Sequence, residues 1–240
     1  MVCRFLAVFL SLGFAAKVLG EVVHEVLGHG LFVLVFGGRT TGIKISLLWP
    51  YELSHIAFSP PSGGFEAWQQ ALVDGGGLLM CLVVSFASQL VLLLSFSRRG
   101  HWVVSSLLFW LAFWTFINPA GYLVVAGIEP FGDVAKLISQ GVMTERGAFA
   151  AGLVLFGVNL FSLSIILRKV LRNAGVKEDA SWSIVLFWLI VPALTLASVL
   201  GQDRSPLIAA LGLIPVLAVC GGLLLHNAIL WRRRNRKAGV

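Results

Sequence analysis

The chain has 240 residues, of which 58% are hydrophobic and only 12% are charged. This composition excludes an ordinary soluble globular domain and predicts an integral membrane protein. The formal net charge of +7 comes mostly from Lys and Arg residues that flank apolar segments, so we expect no nucleic-acid partner.

Six apolar runs are long enough to cross a bilayer. They predict an all-α polytopic membrane protein with about six transmembrane helices and a small β-hairpin after the first. We divide the chain into a membrane core at residues 1–145, with three helices, the hairpin and a metal site, and three additional helices with a basic tail at 146–240. The runs lie at residues 5–36, 71–96, 102–126, 149–171, 182–200 and 207–231.

Basic residues predict the orientation in the membrane. With six spans, the basic clusters all fall on one side, which places both termini in the cytoplasm. We expect the C-terminal cluster to contact anionic lipid headgroups. The first 16 residues also resemble a secretory signal, but their removal would leave too little helix to anchor the segment that follows, so we expect them to be retained. The basic residues are Arg4, Arg98, Arg99, Arg168, Lys169, Arg172, Lys177 and the run from Arg232 to Lys237.

The first apolar run is too long for one simple crossing. We expect either a strongly tilted helix broken near Gly20 or a crossing followed by a partly re-entrant half. Its second half contains His24, Glu25 and His29 in the pattern His-Glu-x-x-x-His. Ionisable groups are costly inside a membrane and usually functional, so this segment is the first candidate for chemistry.

The pattern has one residue more than the zincin motif His-Glu-x-x-His, in which two imidazoles one turn apart bind zinc. On an α-helix, residues five apart lie about 140° from each other around the axis, whereas residues four apart lie about 40° from each other. A one-residue π-bulge would restore a shared face for His24 and His29, and Gly28 supplies backbone freedom at the right place. The six-residue stretch from His24 to His29 resembles the zinc motif of the dipeptidyl peptidase III family, which has the same expanded spacing.

Glu21 precedes this motif by one helical turn. It is a candidate hydrogen-bond acceptor for one of the ligating imidazoles. Alternatively, Glu21, Glu25 and His29 follow one another at four-residue steps and form a stripe that needs no bulge. That stripe would suit a carboxylate-rich ion site better than a protease.

Residues 39–61 predict a β-hairpin, because two β-branched and aromatic stretches flank the turn Trp49-Pro50-Tyr51. Such a hairpin could add its edge to an extended peptide; a plain structural loop is the alternative.

Further along, Asn118-Pro119 predicts a break in a membrane helix that lines a cavity. Asp133 is expected to begin a new helix, where it is either a capping residue or a third metal ligand. Lys136 could neutralise a carboxylate, but we expect it to extend toward the headgroups.

The order of these features resembles the site-2 protease family of intramembrane zinc metalloproteases. That family has a His-Glu-x-x-His helix, a β-hairpin, a Gly-rich start to the next helix and an Asn…Pro…Asp-Gly segment. The likeness covers about residues 21–137, with one extra residue between the histidines and Gly132-Asp133 where the family has Asp-Gly. The corresponding features here are His24-Glu25…His29, the hairpin after Arg39, Asp74-Gly-Gly-Gly77, and Asn118-Pro119…Gly132-Asp133.

The resemblance implies a role for each residue. His24, His29 and Asp133 would bind Zn2+, which would lower the pKa of a bound water toward about 7. Glu25 would accept the proton from that water and pass it to the departing amine. Asn118 would donate a hydrogen bond to the oxyanion. The substrate would be a locally unwound transmembrane segment of a membrane protein.

Two other classes of function remain open at this point. An ion-coupled membrane transporter would use the buried carboxylates and histidines as a relay and the Asn-Pro break as a discontinuous helix. A catalytically inactive scaffold would retain the protease fold without its activity.

Overall fold

A computed structural model of the chain describes residues 2–47, 54–94, 102–177 and 206–238, together with Val185 and Trp188. The chain forms two compact units, Met1–Gly152 and Leu153–Val240. The predicted division between residues 145 and 146 stays a prediction; α6 begins at Glu145. In chain order the elements are α1 (Val2–Val22), a π-helical segment (Val23–Gly30), α2 (Leu31–Val35), β1 (Arg39–Lys44), β2 (His55–Ser59), α3 (Ala67–Leu94), α4 (Trp102–Ala126), α5 (Gly132–Ser139), α6 (Glu145–Asn173) and α7 (Pro206–Ala238).

Four helical stretches in the described part of the chain are long and apolar enough to cross a membrane. They correspond to the first four predicted spans and support a helical membrane protein. The predicted span at 182–200 lies outside the described residues except for Val185 and Trp188. The predicted span at 207–231 falls within α7, which is not among the four, so the count of six stays a prediction. The four stretches are Ala7–Val35, Ala67–Leu94, Trp102–Ala126 and Glu145–Asn173.

The first apolar run is a single continuous helix, and the predicted break near Gly20 is wrong. Gly20 lies inside α1 and packs against α4, where an added Cβ would be 3.4 Å from Trp114 Cβ. The departure from α-helical geometry comes later, at Val23–Gly30, where Leu31 N–H donates to the carbonyl of Val26, five residues earlier. The helix therefore takes up its extra residue as a π-helical segment.

The hairpin prediction is confirmed by an antiparallel pair of strands. Arg39 pairs with Ser59 and Lys44 pairs with His55, with a register shift between Thr40 and Gly42. A shift of this kind is a β-bulge, which twists a two-stranded ribbon locally. The predicted Trp49-Pro50-Tyr51 turn lies outside the described residues.

The two strands fold back along the first helix. Lys17 Nζ donates to the carbonyl of Ser46 at 2.8 Å, and Ser54 Oγ donates to Glu21 Oε2 at 2.6 Å. Ser46 N–H donates in turn to Ser54 Oγ at 3.0 Å. Because Ser46 follows β1 and Ser54 precedes β2, the hairpin runs beside the π-helical segment toward the N-terminal half of the helix.

The π-helical segment packs backbone to backbone against the start of α3. An added Cβ at Gly28 would lie 2.5 Å from Gly77 Cα, and one at Gly76 would lie 2.9 Å from the Gly28 carbonyl oxygen. Such close approach requires glycine at these positions. The Gly-rich start of α3 therefore brings the His-Glu segment against α3.

In the second unit, α7 packs against the later part of α6. An added Cβ at Gly157 would lie 3.4 Å from Pro215 Cβ, and one at Gly222 would lie 2.9 Å from the ring of Phe161. Leu163 and Leu223 are among the buried apolar side chains of this unit.

We predict that Gly28→Ala destabilises the protein, because the methyl group would overlap the backbone of α3. Overpacking of this kind costs about 1–3 kcal/mol. Gly121→Ala is the matched control, since a Cβ at this helical position meets nothing within 4 Å. The apparent melting temperature in detergent, followed by tryptophan fluorescence, should fall for Gly28→Ala only. Equal melting temperatures for the two variants would contradict the close contact.

Candidate metal centre

The π-helical segment brings the two histidines of the first helix together. The Nε2 atoms of His24 and His29 are 3.3 Å apart, and both side chains are buried. In a π-helix the hydrogen bonds join residues five apart, so side chains five apart lie near one another on the same face. The π-bulge that the spacing would require is present, as a π-helical segment of eight residues.

Asp133 enters the site from α5. Its Oδ2 atom lies 3.2 Å from His24 Nε2 and 3.2 Å from His29 Nε2. The residue lies in the first turn of α5, as predicted, and follows Gly132, which has a φ of +55°. That positive φ favours glycine and turns the chain into the helix.

The three ligand atoms form a nearly equilateral triangle with sides of 3.2, 3.2 and 3.3 Å. Zinc–ligand bonds of about 2.0–2.1 Å in a tetrahedron place neighbouring ligand atoms about 3.3–3.4 Å apart. The triangle therefore fits three corners of a tetrahedral site. Two imidazoles and a carboxylate also form the facial triad of non-haem iron, so the geometry defines the donors and leaves the element open.

The outward-facing nitrogen atoms of the two imidazoles are held by α3. His29 Nδ1 donates to the carbonyl of Val73 at 2.6 Å, which leaves Nε2 with a lone pair for a metal in the neutral ring. His24 Nδ1 lies 3.9 Å from Cys81 Sγ. The prediction that Glu21 accepts a hydrogen bond from an imidazole is wrong, because its carboxylate accepts from Ser54 and pairs with Lys17 at 3.7 Å.

Gly77 lies directly beside the ligand triangle. An added Cβ at this position would be 2.6 Å from His24 Nε2 and 2.7 Å from His29 Nε2. A methyl group there would occupy the space on which the two lone pairs converge. The absence of a side chain at residue 77 thus keeps open a space of atomic size.

The two oxygens of Asp133 have different partners. Oδ2 faces the imidazoles, whereas Oδ1 lies 3.4 Å from Lys136 Nζ. Burial alone would raise the pKa of Asp133, but hydrogen bonds with His24 and His29 outweigh this effect and hold the pKa well below its usual range. The ionised carboxylate is also the form that binds a metal.

Lys136 pairs with carboxylates, which was the less favoured of its two predicted roles. Its ammonium group also lies 3.3 Å from Asp74 Oδ1, although the side chain is about half exposed. Burial lowers the pKa of Lys136, but the two carboxylates outweigh this effect and raise it. The lysine is therefore a stable cation beside the ligand triangle.

The other two predicted site residues, Glu25 and Asn118, are not part of the ligand triangle. Glu25 is buried and directly follows His24, and its carboxylate accepts no hydrogen bond within the described part of the chain. Asn118 lies in α4, which continues through Pro119, so the predicted Asn-Pro break is wrong. The amide oxygen of Asn118 is buried without a hydrogen-bond partner among the described residues. Proline still removes one backbone donor there without ending the helix.

The described residues contain one group of three potential ligands whose atoms lie within 4.8 Å of one another, namely His24, His29 and Asp133. The alternative stripe of Glu21, Glu25 and His29 does not form such a group within these residues. The π-helical geometry changes the helix face on which each of these three residues lies, and Glu21 accepts a hydrogen bond from Ser54, just before β2.

Tyr122 and the Val73 carbonyl belong to the site and were not predicted from the sequence. The Tyr122 ring centroid is 6.3 Å from that of His24, and an added Cβ at Gly132 would lie 2.7 Å from Tyr122 Oη. A tyrosine in a membrane helix is usually an interfacial residue, and a backbone carbonyl has no sequence signature. Neither role is visible without the fold.

Comparison with known proteins adds no further information on function. We found no match to this chain among protein-family models, curated proteins or solved structures.

We predict that Gly77→Ala abolishes metal binding, because its methyl group would enter the space between the imidazole nitrogens. The neighbouring substitution Gly75→Ala is the control, since its Cβ would lie at an ordinary 3.5 Å from Leu137. Metal content after purification should fall to background in the first variant and stay at the wild-type level in the second. Undiminished metal in a folded Gly77→Ala protein would show that the metal does not lie between these histidines.

Proposed function

We propose that the protein is a zinc-dependent intramembrane metalloprotease that cleaves transmembrane segments of other membrane proteins. The observation that carries this proposal is the triangle of ligand atoms with sides of 3.2, 3.2 and 3.3 Å, built from a membrane-type helix and α5. A buried carboxylate, Glu25, directly follows one of the ligands. Two imidazoles and one carboxylate leave the fourth tetrahedral position for water, as catalytic zinc sites do.

Each residue has a defined part in this mechanism. Zinc, when bound, acts as a Lewis acid that lowers the pKa of water and polarises the scissile carbonyl. His24, His29 and Asp133 hold the metal. Glu25 accepts a proton from the attacking water and later donates it to the departing amine. No described side chain donates a hydrogen bond to the Glu25 carboxylate, so it is free to take that proton.

Asn118 is retained in the proposal as the oxyanion donor. It lies one helical turn before Tyr122, whose ring is 6.3 Å from that of His24. Its amide oxygen is buried without a partner among the described residues, and its NH2 group is the part that would donate to an oxyanion. Loss of one oxyanion donor typically slows such a reaction by about 10²–10³.

The substrate is a transmembrane segment that has locally lost its helical structure. The hairpin runs beside the π-helical segment, where an added Cβ at Gly30 would lie 3.0 Å from Ile56 Cδ1. A strand edge next to the site offers backbone hydrogen bonds to an extended peptide. Such pairing would keep the unwound segment in the extended form that exposes its carbonyl groups.

The proposed arrangement is a multi-pass protein with both termini in the cytoplasm, which its basic clusters favour. The C-terminal cluster, Arg232 to Lys237, meets anionic headgroups in this arrangement.

The transporter alternative loses its main support, because Glu21 pairs with Lys17 and Ser54 and does not complete a carboxylate stripe. An inactive scaffold would share the metal site and lack turnover.

We predict that the detergent-purified protein contains about one zinc ion per chain. His24→Ala and Asp133→Ala should each lose it, because both remove a ligand, whereas Glu25→Gln should retain it. Elemental mass spectrometry after reconstitution with zinc makes the measurement. A wild-type protein that stays free of zinc would exclude the protease.

We further predict that Glu25→Gln lowers proteolysis by about 10²–10⁴, because the proton acceptor is lost while the metal is kept. Membranes from cells that express the wild type or Glu25→Gln are compared by N-terminal proteomics. New termini within transmembrane segments should appear only with the wild type. Identical termini in the two samples would favour the inactive scaffold, provided that zinc is bound in both.

A further inference from the structure

We propose that Lys136 and Asp74 are positioning residues that hold Asp133 as a one-oxygen ligand of the metal. This inference rests on the proposed metal centre and adds two residues that act through Asp133. Lys136 Nζ lies 3.4 Å from Asp133 Oδ1, the oxygen that faces away from the histidines. A cation at that oxygen keeps it from rotating toward the metal, so that only Oδ2 remains available as a ligand.

Asp74 fixes the position of the lysine. Lys136 is about half exposed and has a long, flexible side chain, which on its own would sample many rotamers. Asp74 Oδ1 lies 3.3 Å from its ammonium group. Because Asp74 is only 3% exposed, it provides a rigid counter-ion on α3. Lys136 therefore bridges two carboxylates and links α5 to α3.

Asp74 is in turn held by two amides. Gln70 Nε2 donates to Asp74 Oδ2 at 2.7 Å from the preceding turn of α3. Gln140 Nε2 donates to the same oxygen at 2.7 Å from the end of α5. With the lysine on its other oxygen, the buried carboxylate has donors on both sides, which satisfies a charge that would otherwise be costly in a membrane helix.

One turn of α3 thus serves all three ligands. The Val73 carbonyl accepts from His29, Asp74 acts on Asp133 through Lys136, and Gly77 leaves space beside both imidazoles. Hydrogen-bond partners of metal ligands typically contribute a factor of 10–100 in metal affinity. This places Lys136 and Asp74 among the groups that determine how tightly and in which geometry the metal is bound.

The test uses the full-length protein in detergent and two probes, Zn2+ and Co2+. Zinc affinity is measured by competition with a chromogenic chelator, and the visible spectrum of the Co2+ form reports coordination number. Lys136→Gln should bind zinc about 10–100-fold more weakly. Its Co2+ bands should lose intensity, because a second carboxylate oxygen raises the coordination number above four.

Two further variants serve as matched controls. Lys136→Arg keeps the charge and should stay nearer to the wild-type affinity than Lys136→Gln does. Arg146→Gln removes one exposed positive charge at the start of α6 and should leave affinity and spectrum unchanged. Asp74→Asn should resemble Lys136→Gln, and the double variant should lose little more than either single one, because Asp74 acts through Lys136.

Zinc affinity within twofold of the wild type and an unchanged Co2+ spectrum in Lys136→Gln would overturn the positioning role while the metal centre stands. If Lys136→Gln fails to fold, Asp74→Asn is judged by the same two readouts and the same limits. A wild-type protein that binds neither ion fails at the earlier step, the metal centre itself.

Discussion

The close approach of Gly28 to Gly76 and Gly77 is the constraint on which the site depends. Because these three glycines have no Cβ atom, the π-helical segment can lie against α3 at this distance. The π-helical turn then places His24 above His29, with their Nε2 atoms 3.3 Å apart. A regular α-helix with the same sequence would put the two rings about 140° apart around its axis. The expanded spacing is therefore matched to a local helix geometry.

The supports of this site come from α3 and α5, far from the histidines in sequence. His29 is oriented by the backbone of Val73, 44 residues away. Asp133, 109 residues from His24, reaches the site because Gly132 allows the turn into α5. The first helix supplies the two histidines, α5 supplies Asp133, and α3 contacts the ligands from both elements. A metal bound here would connect two elements that are distant in sequence, so its binding energy would also stabilise their packing.

Local sequence patterns predicted the parts of the structure that depend on local geometry. The spacing of His24 and His29 showed that a shared metal site would need a π-bulge, and the β-branched stretches predicted the two strands. The break near Gly20 and the break at Asn118-Pro119 were wrong, because packing against neighbouring helices keeps both helices continuous. The contacts of Glu21 with Ser54 and of Lys136 with Asp74 join distant parts of the chain, and one sequence gives no register between such parts.

The network around Asp74 explains why a carboxylate is present at the start of a membrane helix. An isolated charge there would be expelled or neutralised, but Asp74 receives Lys136 on one oxygen and two amides on the other. Since Lys136 also pairs with Asp133, removing the cation would free the second oxygen of that ligand. The ion pairs that balance the charges at the site therefore also orient Asp133 as a metal ligand.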